Sequence, residues 1–128
     1  MMDAKKFFAA CGGDYEGTMR RLMGNERLFC RLLPKVFQDK NFQKLEDALT
    51  LGDLDAAFNA AHTLKGVSGN LGLASLYDAV CEIVEPLRRK DPEADYRALY
   101  QAIQQEFLRL EPLSRQMEAG EQQNERTH

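Results

Sequence analysis

Apolar residues recur along most of the chain at the three- and four-residue spacing of a helix. No stretch sustains the alternation of a half-buried strand. Residues 3–11 predict a short helix with Phe7 and Phe8 on its apolar face, ended by Gly12 and Gly13. Asp14 is placed to cap a second short helix over 15–23. Asn25 caps a stronger segment, in which Leu28, Phe29, Leu32, Leu33, Val36 and Phe37 keep helical register and Pro34 predicts a kink. Residues 41–51 continue with Phe42, Leu45, Ala48 and Leu49, and Gly52-Asp53 reads as a stop followed by an N-cap. The next helix, 54–71, carries a core stripe of Ala57, Ala60, Ala61, Leu64, Val67 and Leu71. Residues 73–89 follow with Leu76, Val80, Ile83, Val84 and Leu87 apolar, and Pro86 is expected to bend or fray the end. Asp91-Pro92 reads as an N-cap and first helical position. The last helix, 93–117, turns Tyr96, Leu99, Ile103, Phe107 and Leu110 inward, and Pro112 is expected to kink or shorten it. The polar stretch 119–128 predicts a disordered tail.

Tight Asp/Gly turns between such helices make antiparallel neighbours. The predicted fold is therefore all-α: an antiparallel up-and-down four-helix bundle over 25–118, with additional short helices over 1–24 packed on it. A length of 128 residues fits one domain. The net charge of −3 gives no basic excess, which argues against nucleic acid as a partner. Arg20-Arg21 reads as a solvated helix end. No apolar run approaches the roughly 18 residues of a membrane span, and the first residues lack the pattern of a signal peptide. Cys11, Cys30 and Cys81 are odd in number and lack C-x-x-C spacing, which argues against a disulfide framework or structural zinc. Cys30 and Cys81 are expected to be buried small hydrophobes, and the reduced thiols point to the cytoplasm.

Several chemistries lack their residues. There is no GxxxxGK[ST] loop, no H-E-x-x-H and no Glu-x-x-His, so neither a nucleotide nor a metal site is expected. One residue resists a purely structural reading. His62 is the only histidine outside the tail, and it lies about 160° round its helix from the middle of the core stripe. Phe58, Lys65, Gly66 and Gly69 surround it at i−4, i+3, i+4 and i+7. Glycine inside a helix costs roughly 1 kcal/mol relative to alanine. On this face it either serves close helix packing or clears the way for another surface to reach the ring. A neutral imidazole nitrogen is a nucleophile, and a lysine one turn away suits an anionic transferring group. These features fit a phosphoryl-accepting histidine, and they also fit an ordinary surface histidine.

The run Ala61-His62-Thr63-Leu64-Lys65-Gly66-Val67-Ser68-Gly69-Asn70-Leu71-Gly72 resembles the H-x-L-K-G-x-x-x-x-x-G signature of histidine-containing phosphotransfer (HPt) domains. The resemblance extends over roughly 25–117. It implies an antiparallel four-helix bundle with His62 exposed midway along one helix. His62 would accept phosphate through Nε2 from a receiver-domain aspartate and pass it to another receiver. Lys65 would stabilise the phosphoryl oxygens, and Gly66 and Gly69 would give the receiver access. The implied partners are response-regulator receiver domains and a hybrid histidine kinase. The chain would be a monomeric phosphocarrier without autokinase activity, binding no metal or cofactor of its own, with Mg²⁺ supplied by the receiver. A histidine kinase is disfavoured, because its phosphoacceptor is normally followed by an acidic residue and Thr63 follows here.

One departure stands out. Many family members carry Gln or Glu on the next helix, bonded to the histidine's Nδ1. By counting, that position is Val84, with Glu85 about 100° further round. The departure keeps open a degenerate module that binds receivers without phosphotransfer. An unrelated helical adaptor, with Gly66 buried and His62 unreactive, is the other alternative. Arg88, one turn beyond Val84, reads either as a second phosphate or receiver contact or as a plain helix-terminal arginine. Phe58 either belongs to the docking face or tucks under the N-terminal helix.

Overall fold

The computed structural model describes the backbone of residues 2–126 and the side chains of residues 2–117. Seven helices follow in order: α1 (Ala4–Cys11), α2 (Tyr15–Arg21), α3 (Glu26–Phe37), α4 (Asn41–Leu51), α5 (Leu54–Asn70), α6 (Ala74–Arg88) and α7 (Tyr96–Arg126). No strand occurs among the described residues. The backbone of α7 continues to Arg126, past the expected end at 117 and through 119–126 where disorder was expected, and residues 127–128 lie outside the described residues.

Short polar side chains start the helices by satisfying amides that have no intrahelical partner. Asp3, Asp14, Asn25 and Asp53 accept from the amides of Lys6, Gly17, Leu28 and Ala56. Gly12 and Gly52 end α1 and α4 in the left-handed conformation that glycine adopts without steric cost. The start of α7 differs from the sequence expectation. Asp91 accepts from the amide of Glu93 in a local turn, and the helix begins only at Tyr96, with Asp95 accepting from the amide of Ala98. Asp95 caps α7, whereas the Asp91-Pro92 pair builds the loop before it. Pro34, Pro86 and Pro112 all stay inside continuous helices, so Pro112 does not shorten α7.

The bundle has four sides. α3 and α4 form one interrupted side, because Gln38 and Lys40 keep right-handed helical angles across the break. α4 packs on α5, α5 on α6, α6 on α7, and α7 closes onto α3 and α4. Contacts between named residues give the directions. Phe58 meets Arg88 and Gly69 meets Tyr77, so α5 and α6 run opposite ways. Tyr96 donates to the Pro86 carbonyl and Ser75 to Glu106, so α6 and α7 do the same. Tyr100 reaches Glu46 while Phe42 packs on Phe107, which opposes α4 and α7.

Two aromatic nodes anchor the core. Phe7, Phe8 and Phe29 join α1 to α3, and Phe37, Phe42 and Phe107 join α3 and α4 to α7. Such ring pairs add about 0.5–1.5 kcal/mol each beyond their burial. Between the nodes lie fully buried Leu33, Leu45, Leu64, Leu76, Ile83 and Ile103. Of the cysteines, Cys11 is the buried one, and burial pushes its thiol up. Cys30 and Cys81 are half-buried, contrary to expectation, because each sits at the edge of its helix's apolar stripe. Arg109 of α7 ties three elements together, donating to the Ala10 carbonyl, Ser75 Oγ and Glu106. No described helix is long and apolar enough to cross a membrane.

Candidate functional site

Helix α5 carries the candidate chemistry. Its inner face is nearly all small: Ala57, Ala60, Ala61 and Leu64 are buried. The small residues let α4 and α6 approach closely and fix the helix's rotation, which leaves His62 on the outside. The lower part of the inner stripe differs from the sequence reading. Ser68 is buried, and Val67 is only half-buried. The Ser68 hydroxyl can go inside because it donates to the Leu64 carbonyl at 2.8 Å.

His62 is exposed, and no hydrogen bond to its ring occurs among the described residues. Its imidazole lies against Phe58, with ring centroids 5.6 Å apart and planes 36° from parallel. The Arg88 guanidinium carbon also sits over Phe58, 5.2 Å from the ring centroid. Arg88 in turn pairs with Glu85 at 3.5 Å, both side chains about half exposed (49% and 55%). Phe58 is half-buried and contacts both His62 and Arg88. An exposed cation on an aromatic face is worth about 0.5–1 kcal/mol, which holds Arg88 near the site without locking it.

Lys65 follows His62 by one turn and is half-buried. The two glycines separate in role. A Cβ on Gly66 would meet no atom within 4 Å, so nothing within the protein requires glycine there. A Cβ on Gly69 would stand 3.1 Å from the Tyr77 ring, so Gly69 also serves the packing of α5 on α6. Gly66 is exposed, contrary to what an unrelated adaptor with a buried Gly66 requires.

Val84 stands where counting from His62 places it. Val84 is fully buried (0% exposed), as its place in the apolar stripe of α6 predicts. The contacts of Tyr77 with Gly69 and of Arg88 with Phe58 mark the stripe of α6 beside α5. The same register sets Val84 level with His62 and Arg88 level with Phe58. Val84 supplies no polar partner to the ring, and Glu85, one position on, is paired with Arg88.

The N-terminal helices reach the site in a way the sequence reading missed. Arg21 is not simply a solvated helix end. Its Nε donates to the Asn70 carbonyl at 3.3 Å and its Nη2 to the Gly69 carbonyl at 3.4 Å and to Thr18 Oγ1 at 3.2 Å. The pair Arg20-Arg21 carries no sequence signal for this, since the contact spans nearly fifty positions. No group of three or more His, Cys, Asp or Glu side chains able to hold a metal occurs among the described residues.

Comparison with known families adds one finding. The family model for the Hpt domain matches residues 36–118, well over half of the chain. No significant match was found among curated proteins or among solved structures. The matched segment contains α4, α5 and α6 whole, the end of α3 and most of α7. The chain belongs to the Hpt domain family, and its function lies in the histidine phosphotransfer of two-component phosphorelays.

Proposed function

We propose that His62 is the phosphoacceptor, and that the chain takes a phosphoryl group from one receiver-domain aspartate and delivers it to another. The observation that carries this reading is the exposed imidazole beside Gly66, whose missing side chain nothing inside the protein demands. A partner surface gains room there, next to the ring.

In the forward step, the His62 Nε2 lone pair attacks phosphorus. The N–P bond forms as the P–O bond to the receiver aspartate breaks. The aspartate leaves as a carboxylate, and His62 Nδ1 keeps its proton. Lys65 and Arg88 offer positive charge to the phosphoryl oxygens, which carry the charge of the transition state. Phe58 offers an apolar rim for docking. The receiver supplies Mg²⁺, and this chain contributes nucleophile, cations and shape. The reverse of the same step passes the group to a second receiver.

The docking-only alternative keeps its sequence argument, because buried Val84 offers the His62 ring no hydrogen-bond partner. The test is transfer of labelled phosphate from receiver domains charged with acetyl phosphate. The wild type should accept label from at least one receiver, and His62→Gln should accept none. Binding without transfer would favour the docking-only module.

A further inference from the structure

The first 35 residues lie outside the family match, yet they grip the end of the helix that carries His62. Three independent contacts make the grip. The elbow between α1 and α2 presses on the turn after α5 so closely that a Cβ on Gly13 would collide with the Gly72 carbonyl. Thr18, fully buried, fills the space a Cβ on Gly72 would need, and Gly72 itself has φ +70°. Arg21 then reaches over the end of α5 to the Gly69 and Asn70 carbonyls.

The last carbonyls of a helix lack intrahelical donors and carry partial negative charge. In α5 the Ser68 carbonyl is met by the Leu73 amide, and that of Gly69 by the Gly72 amide. Arg21 Nε supplies a donor to Asn70, the last carbonyl of the helix. A guanidinium suits this task, since its fork serves two carbonyls and a hydroxyl at once.

We infer that Arg21 is a positioning residue for receiver-dependent phosphotransfer. By clamping the last turn of α5 it fixes where the face of Gly66 and Gly69 lies relative to His62. Loosening the clamp lets that turn fray, so a docked receiver no longer finds one fixed surface. The nucleophile itself, about two turns up the helix, is untouched. This inference rests on the phosphotransfer reading above.

The experiment compares full-length wild type, Arg21→Met and Arg21→Lys with two phosphoryl donors. Phosphoramidate is small and needs no docking surface. Receiver domains charged with acetyl phosphate need one. Arg21→Met should be labelled by phosphoramidate at the wild-type rate. Its half-saturating receiver concentration should rise about tenfold, the scale of one lost charge-assisted hydrogen bond. Arg21→Lys should recover most of that, because an ammonium still donates to one carbonyl. The inference is overturned if half-saturation in Arg21→Met stays within about twofold of wild type, a change too small to match such a bond. It is equally overturned if both donors slow together, or if Lys rescues nothing. If Arg21→Met does not fold, Arg21→Gln takes its place with the same expected and contrary results. Failure of the inference leaves wild-type transfer intact, whereas absence of wild-type labelling by every donor overturns the phosphotransfer reading with it.

Discussion

A methyl group on Gly66 would touch nothing within the protein, and alanine is favoured over glycine in a helix interior by about 1 kcal/mol. Gly66→Ala should therefore raise stability by about 0.5–1 kcal/mol in denaturant unfolding. It should also slow receiver-dependent transfer on the order of tenfold, since one overpacked contact costs about 1–3 kcal/mol. Gain of stability with unchanged transfer would remove Gly66 from the docking face. Gly69→Ala should stabilise less than Gly66→Ala, because the new methyl meets the Tyr77 ring at 3.1 Å and the ring must shift. The candidate site was readable in the sequence because the run from His62 to Gly72 carries the family motif, which helical geometry alone does not single out. The different environments of the two glycines were not readable, since they depend on how α6 meets α5. The Arg88–Phe58 stack was hidden for the same reason.

At the scale of elements, caps and burial decide where helices start and how pH acts on them. Asp95 is the N-cap of α7, so Asp95→Ala should cost about 1 kcal/mol. Asp91→Ala removes only a local turn bond to Glu93 and should cost less. Equal losses in thermal unfolding would restore the earlier start of the helix that the Asp-Pro pair suggests. The contact between α4 and α7 has its own pH signature. Burial and the neighbouring Glu46 carboxylate push the Tyr100 hydroxyl up to about 12. Tyrosine in an unfolded chain titrates near 10. The folded state thus keeps its proton longer, and the stabilising contribution is complete below about pH 10. It is lost as pH rises from about 10 through about 12. Tyr100→Phe should flatten the alkaline fall of stability over that window, measured by unfolding at a series of pH values. An unchanged fall would mean that ionisation of Tyr100 does not oppose folding.

Across the whole molecule, the four-sided bundle was legible because it depends on local signals: helical periodicity, Asp and Asn caps, and glycine stops. The phase between helices was not, because it depends on how a three-residue turn and a row of alanines let two helices settle. The burial of Val84 was legible, since it belongs to the apolar stripe of its own helix. The N-terminal clamp was illegible too, since Arg21 and Asn70 meet only in three dimensions. Both lie at the ends of the helix pair that presents His62, the proposed phosphoacceptor. The most direct measurement is a ³¹P NMR spectrum of the protein after mixing with a charged receiver domain. The account predicts one phosphoramidate resonance that is lost in acid, survives in alkali and is absent from His62→Gln. Phosphate that stays on every receiver tested, or a resonance that persists in His62→Gln, would contradict it.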